Sequence, residues 1–286
     1  MNSNLIAKEL WVKAIQLLRN DDFNKNDHYG NFNSFEFYGY HLLNYKAQWK
    51  LIQKFGTSTL SGPFKGLVFP VPDLQENLGA LLGKDGGAAF ITKYLLGTYE
   101  SELHPIIESI KHNQYDAVVD IGCSLGYYAA GFGKIFRNAE IHAYDANEEI
   151  REKLKELIHL NGISDRTHFG SYWTGDHFEK LKDKKSLVFC DIEGAEIELL
   201  DPVRFPELSN IDIIVEMHNI FNPKISSTLI DRFSQTHQIT TIPNRTYNFT
   251  LPEEANILTD LELSAVLNEM RGGPTPWAFL KSHKNL

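Results

Sequence analysis

The sequence predicts an α/β chain organised on a doubly wound, mostly parallel sheet, and three observations predict it. Short apolar runs rich in β-branched residues recur at 117–121, 139–144, 186–190 and 211–215. They are too short for helices and too continuous for strands with one wet face, so they read as strands buried on both faces. Helical patterns separate them, as in an alternating βα chain. The first run also feeds a glycine loop, residues 122–126, and then a helix.

The chain opens with an amphipathic stripe, Leu5, Leu10, Trp11, Ala14, Leu17 and Leu18, which predicts a helix over 5–19. A polar loop follows over 21–33 and a second helix over 38–55. Residues 27–49 are dense in rings, among them His28, Tyr29, Phe32, Phe35, Tyr38, Tyr40, His41, Tyr45 and Trp49. Such rings either pack an accessory segment against the sheet or line a cap over a substrate, since aromatic faces suit sugars and planar natural products. Pro63, Pro70 and Pro72 resist helix and make 56–72 a turn-rich connector. After a glycine cluster at 83–87 come helices at 88–96 and 102–110. The division expected is an accessory or cap segment over 1–95 and a ligand-binding domain over 96–286. Self-association, if any, is expected through the first of these.

At the central strand, Asp120 precedes Gly122, Cys123, Ser124, Leu125 and Gly126, and Leu125, Ala129, Phe132 and Phe136 recur at helical spacing beyond. Glycines let backbone approach a ligand without Cβ interference, and the spare N–H groups of the next helical turn receive an anion. Either a dinucleotide or a nucleoside-containing methyl donor could use such a loop. The dinucleotide pattern Gly-x-Gly-x-x-Gly lacks its middle glycine here, so pyrophosphate fits poorly. Asp145 ends the next strand, 19 residues past Gly126, where its two oxygens can accept both hydroxyls of a ribose. The alternative is that Asp145 caps the helix opening at Asn147.

Acid also follows the two later strands, in Asp191-Ile192-Glu193-Gly194-Ala195-Glu196 and in Glu216-Met217-His218-Asn219. In an open parallel sheet the carboxyl ends of strands face the ligand crevice, so these groups converge on the glycine-loop edge. Here the sequence resembles the class I S-adenosylmethionine-dependent methyltransferases, a Rossmann-like fold, and specifically the FkbM type. The matching segments are Val119-Asp120-Ile121-Gly122 through Gly126-Tyr127-Tyr128, the block from Asp191 to Glu196, and Val215-Glu216-Met217-His218. The likeness spans about the last 190 residues, within the size of one domain. Cys123-Ser124 departs from that family's usual Ala-Asn, and Asp145-Ala146-Asn147 from its usual Glu-Pro.

The resemblance implies that Asp120, Gly122, Cys123, Ser124 and Gly126 hold the methionine portion of the donor, and that Asp145 holds the ribose. It implies that Ser171 and Tyr172, with Trp173, lie beside the adenine. It also implies that Tyr99 and Glu100 close over the methionine end, with Glu100 paired to the ammonium. The alternative for Thr98 and Glu100 is capping of the following helix. Residues 276–281 would be the antiparallel strand that completes such sheets.

A sulfonium makes its methyl group electrophilic, so an enzyme must chiefly align the acceptor and exclude water. A hydroxyl acceptor also needs a base or metal. His218 is the base candidate, with Glu216 two residues before it on the same side of the strand, and Asp191 close by. Asp191 and Glu216 with His218 could hold a divalent cation, although a metal-free site is the expectation. Against these roles, Glu193 and Glu196 could simply face a helix N-terminus, and His218 could be structural.

The remaining pattern continues the alternation: a helix over 148–161, a more polar strand over 166–171, a helix over 224–237, a strand over 238–242, a loop over 243–252 and a helix over 261–270. With 286 residues, 42% hydrophobic, the chain can bury a sizeable core. A net charge of −9 argues against gripping a nucleic-acid backbone, and the Asn-Pro-Pro-Tyr block of many nucleobase methylases is absent. Cys123 and Cys190 read as buried thiols of a reducing compartment. No signal-like or membrane-spanning run is present, which predicts a cytoplasmic protein without membrane contact; the sequons at Asn244 and Asn248 are then idle. The expected activity is methyl transfer from S-adenosylmethionine to a hydroxyl of a small molecule, a sugar or secondary metabolite. The alternatives are a nicotinamide-dependent oxidoreductase and a non-catalytic donor-binding interaction protein.

Overall fold

A computed structural model describes residues 34–72, 90–243, 250–269 and 273–285. The expected helix over 5–19, the loop over 21–33, the glycine cluster and the two sequon asparagines lie outside the described residues. In chain order the elements are α1 (Ser34–Phe55), α2 (Thr92–Leu96), α3 (His104–Ile110), β1 (Ala117–Ile121), α4 (Tyr127–Ile135), β2 (Glu140–Tyr144), α5 (Glu148–Leu160), β3 (Thr167–Gly170), β4 (Ser186–Cys190), α6 (Glu196–Leu199), β5 (Asp212–Glu216), α7 (Ile225–Phe233), β6 (His237–Ile242), α8 (Asp260–Leu267) and β7 (Trp277–Ser282).

The chain divides into two units. One comprises Met1–Thr57, Val71–Leu95 and Pro252–Gly272; the other comprises Ser58–Pro70, Leu96–Leu251 and Gly273–Leu286. This differs from the expected division in two places. Ser58–Pro70 groups with the sheet because Phe64 packs edge-on against Tyr127, Tyr128 and Phe132 of α4, and Gly131 leaves the room, since a Cβ there would lie 2.5 Å from the Phe64 ring. Pro252–Gly272 groups instead with α1. Within that smaller unit Lys50 pairs with the buried Glu262 at 2.7 Å, and the Asn44 amide donates to the Ala265 carbonyl. Thr259 and Glu262 form a capping box that starts α8.

In the larger unit the strands lie in the order β3-β2-β1-β4-β5-β7-β6. Strands β1 to β5 pair in parallel, while β7 is inserted antiparallel between β5 and β6. The doubly wound, mostly parallel sheet is thus the one expected, including its late antiparallel strand. Strands β1, β4 and β5 are buried at every residue, because helices cover both faces. On one face Tyr128 of α4 stacks on Phe189 at 3.9 Å. On the other, Val119, Val188, Ile213 and Val215 meet Phe178, Leu229 and Phe233. Cys123 and Cys190 are free and buried, and burial pushes both thiols up, so neither is a thiolate nucleophile. Among the described residues no helix is long and apolar enough to cross a membrane.

Gly122 and Gly162 both have positive φ, +80° and +68°. A Cβ at Gly162 meets nothing within 4 Å, whereas one at Gly122 would lie 1.6 Å from the Asp191 carbonyl oxygen. Gly162→Ala should therefore cost about 1–2 kcal/mol, the price of left-handed backbone alone, and Gly122→Ala clearly more. Urea denaturation of the two variants checks the order.

Candidate functional site

The site begins where β1 ends. The N–H groups of Gly122 and Cys123 donate to the Tyr144 carbonyl at 2.8 and 3.0 Å, and the Asp191 N–H donates to the Ile121 carbonyl at 2.9 Å. The carboxyl ends of β1, β2 and β4 are thereby tied together. Gly122, Ser124 and Gly126 all take positive φ. At Gly126 the demand is steric as well, because a Cβ would lie 2.1 Å from Leu154.

Asp145 stands across from this loop and accepts from it. Its Oδ2 takes the Ser124 N–H at 2.9 Å and its Oδ1 the Asn147 N–H at 2.8 Å. Each carboxylate oxygen carries two lone-pair sites, so one remains on each for a diol. The cap of α5 is Asn147, whose side chain accepts from the N–H groups of Glu149 and Ile150. Asp145 is therefore not the helix cap, the competing role its sequence position allowed.

A cavity of about 750 Å³ opens at these strand ends. Of the residues singled out from sequence, Tyr99, Gly122, Ser124, Asp145, Ser171, Tyr172 and Asp191 line it; Asp120, Cys123, Gly126, Glu100, Glu216 and His218 do not. Asp120 lies beneath the loop, 1% exposed, and burial pushes its carboxyl up to about 8, opposed by the Ala129 N–H and reinforced by Asp145. Glu100 is buried and accepts from the Tyr128 hydroxyl at 2.6 Å. It has left-handed backbone, φ 45°, and its side chain makes no capping hydrogen bond to the following turn, contrary to the capping alternative. Trp173 is buried and meets Tyr144 edge-on at 5.1 Å, while Tyr172 is 68% exposed at the rim.

Sequence reasoning missed Tyr144, Arg204 and Phe205, which also line the cavity. Tyr144 was findable as the strand residue next to Asp145. Arg204 and Phe205 lie on an irregular connection, held there because Gly175 leaves space for the Phe205 ring, 1.8 Å from where a Cβ would stand.

Behind Asp191 sits an acidic cluster around one imidazole. The Nδ1–H of His218 donates to Glu196 Oε1 at 2.6 Å. This leaves Nε2 at 3.3 Å from Glu193, 3.5 Å from Asp191 and 3.5 Å from Glu216. His218, Glu196 and Glu216 are buried. Burial works against the charged imidazole, but the hydrogen bond to Glu196 and the charges of Glu216, Glu196 and Glu193 outweigh it and raise the pKa. Burial likewise drives the Asp191 carboxyl well above the usual carboxylate range, helped by Glu216, Glu100 and Glu193. One ligand atom from each of Asp191, Glu193 and His218 lies within 4.8 Å of the others, so this donor set could hold a divalent cation. Of this cluster Asp191 and Glu193 line the cavity, and His218 does not.

No protein-family model matches the chain, and no curated protein matches it. Among solved structures, an O-methyltransferase of Streptomyces achromogenes involved in tomaymycin synthesis, in complex with S-adenosylmethionine, is similar at 10% identity with a TM-score of 0.43, over 61% of this chain and 76% of that one. A Bacillus cereus O-methyltransferase in complex with S-adenosylhomocysteine is similar at 11% identity and 0.40, over 61% and 77%. A precorrin-6y C5,15-methyltransferase of Geobacter metallireducens is similar at 11% and 0.39, over 62% and 88%. Likeness at this level does not say what this chain binds, and the functional reading rests on the site's own geometry.

The raised pKa of His218 has a consequence for stability. Its contribution is fully present below the unfolded value of 6.5 and is lost as pH rises through the higher folded value. Folding stability should fall across that window in the wild type and fall less in His218→Gln. Urea denaturation from below pH 6.5 upward checks it.

Proposed function

We propose that the chain is an S-adenosylmethionine-dependent methyltransferase, of the type its sequence resembles, that methylates a hydroxyl of a small molecule. The observation that carries this reading is the placement of a diol acceptor, a glycine loop and an acidic wall along one cavity: Asp145, Gly122 with Ser124, and Asp191. Asp145 offers its remaining lone pairs to the ribose hydroxyls, oriented by the Ser124 and Asn147 N–H groups. In this reading Ser171 and Tyr172 contact the base and Tyr99 the methionine end; all three line the cavity. Asp120 and Glu100 act from the layer beneath, shaping the loop and the field without reaching the cavity.

The donor, when bound, supplies an electrophilic methyl group; this chain's residues supply alignment and a proton acceptor. Asp191 lines the cavity and is held above the usual carboxylate range, which makes it a stronger base toward an acceptor hydroxyl than an ordinary carboxylate. His218 backs it at 3.5 Å, with Glu196 fixing the imidazole, the arrangement of a base supported by an orienting group. Glu216 lies behind the wall, 3.5 Å from the His218 Nε2. This replaces His218 with Asp191 as the group nearest the reaction.

Calorimetric titration with S-adenosylhomocysteine tests the donor site. Micromolar binding is expected, weakened more than about tenfold, or ~1.4 kcal/mol, in Asp145→Ala. A folded protein that shows no binding at millimolar ligand overturns the proposal. A second outcome follows from charge. A cationic sulfonium favours the ionised form of nearby carboxyls, so S-adenosylmethionine should release more protons on binding than S-adenosylhomocysteine. Binding enthalpies measured in buffers of different ionisation enthalpy read this difference, and Asp191→Asn should shrink it.

A further inference from the structure

Away from the cavity, the outer edge of the sheet carries a second group of ligating side chains. His142 on β2 and His168 on β3 are register partners in a parallel pair, so their rings leave the same face and stack at 4.8 Å. Glu140, two residues before His142, points to that face as well. One ligand atom from each of the three lies within 4.8 Å of the others. The Nε2 atom of His142 is buried and meets no hydrogen-bond partner, whereas His168 is exposed and leaves the group open to solvent. Its nearest charged neighbour is Glu140 Oε2, at 3.7 Å, beyond hydrogen-bond distance, and a buried ring nitrogen with no hydrogen bond, beside a second imidazole and a carboxylate, is available as a metal ligand.

We infer that Glu140, His142 and His168 form a site for a transition-metal ion of the Zn²⁺ class, bridging the two outermost strands β2 and β3. Two imidazoles and one carboxylate suit Zn²⁺, Cu²⁺ or Ni²⁺ and not Mg²⁺ or Ca²⁺, which require oxygen ligands. Zinc bonds to nitrogen and oxygen are about 2.0–2.2 Å, so the three ligand atoms must draw together. The exposed His168 and the half-exposed Glu140, 46% accessible at its side chain, can do this by rotamer change while His142 stays fixed under the edge of Trp173. Solvent supplies the fourth position.

One group competes for the site. The Lys184 ammonium pairs with Glu140 Oε2, so an ion must displace it or use the other oxygen, and its positive charge opposes a cation. Lys184 therefore acts as a brake on the site. Bound metal would cross-link β2 to β3, whose carboxyl ends lead directly into Asp145 and Ser171 of the cavity rim. The inference does not depend on the reaction carried out there.

The test uses the full chain without a histidine tag, stripped with chelator and titrated with ZnCl₂ against a chromophoric zinc indicator. One ion is expected per chain. Binding should weaken at least tenfold in His168→Ala, an exposed position that leaves the fold intact, and should tighten in Lys184→Ala. Zinc should raise the thermal midpoint of the wild type and not that of His168→Ala. No zinc binding by the wild type overturns the inference, as does binding unchanged in His168→Ala. Binding lost in Glu193→Gln and kept in His168→Ala also overturns it, because the ion then sits in the cluster behind Asp191.

Discussion

The contact on which the site depends is the approach of the Gly122 backbone to the carbonyl of Asp191. There is no room for a side chain between them, since a Cβ on Gly122 would stand 1.6 Å from that oxygen. The same few residues send two N–H groups to the Tyr144 carbonyl and receive the Asp191 N–H at Ile121. Three strand ends are thus fixed to one another by main chain alone. Because β1, β2 and β4 are parallel neighbours, locking their ends also fixes the loop, Asp145 and Asp191 in one frame. Side chains on such a frame are positioned by rigid elements and not by flexible loops, which is what a binding site for a shaped ligand requires.

That frame concentrates negative charge at a cost. Glu100, Glu196 and Glu216 are all buried, and Asp191 faces Glu216, Glu100 and Glu193. Buried carboxylates are tolerated when they are hydrogen-bonded or take up protons. Both remedies are visible: Tyr128 donates to Glu100, His218 donates to Glu196, and Asp191 is pushed toward its neutral form. One imidazole cannot neutralise the cluster. The unmatched charge leaves the wall of the cavity with a standing preference for a cation, or for a group whose proton it can take.

Much of this was legible from the sequence, and what was not has physical causes. Strands such as 117–121 and 186–190 are buried on both faces and announce themselves as short apolar runs; the structure places them at those residues. Asp145 and Asp191 both line the cavity because strand ends in a parallel sheet converge on one edge, a rule that the sequence alone is enough to apply. Arg204 and Phe205 lie in a turn just before the 3₁₀ segment Pro206–Asn210, outside any helix or strand, so no 3.6- or 2-residue period marks them. Of the expected helix over 88–96, Thr92–Leu96 is helical and Phe90 and Ile91 are not, while 88 and 89 lie outside the described residues. The partnership of Pro252–Gly272 with α1 rests on contacts such as Lys50 with Glu262, more than 200 residues apart, which local periodicity cannot reveal. The depth of His218 was hidden for a related reason: its partner Glu196 belongs to a different strand's loop, and only their pairing draws the ring behind Asp191.

Charge also separates the two ligand classes that the glycine loop alone could not. Among the described residues the cavity wall carries four carboxyl side chains, Asp145, Asp191, Glu193 and Glu198, against one guanidinium, that of Arg204. A pyrophosphate would bring two further negative charges into that field, and the loop lacks the middle glycine that lets backbone N–H groups approach it. The Ser124 N–H, which such a ligand would need, is already directed to Asp145. A nucleoside joined to a sulfonium, the ligand proposed above, would meet neither objection, since it carries no pyrophosphate and brings a positive charge to an acidic wall. The missing middle glycine, a matter of backbone approach, and the surplus of carboxyl groups, a matter of charge, both weigh against a pyrophosphate at this loop.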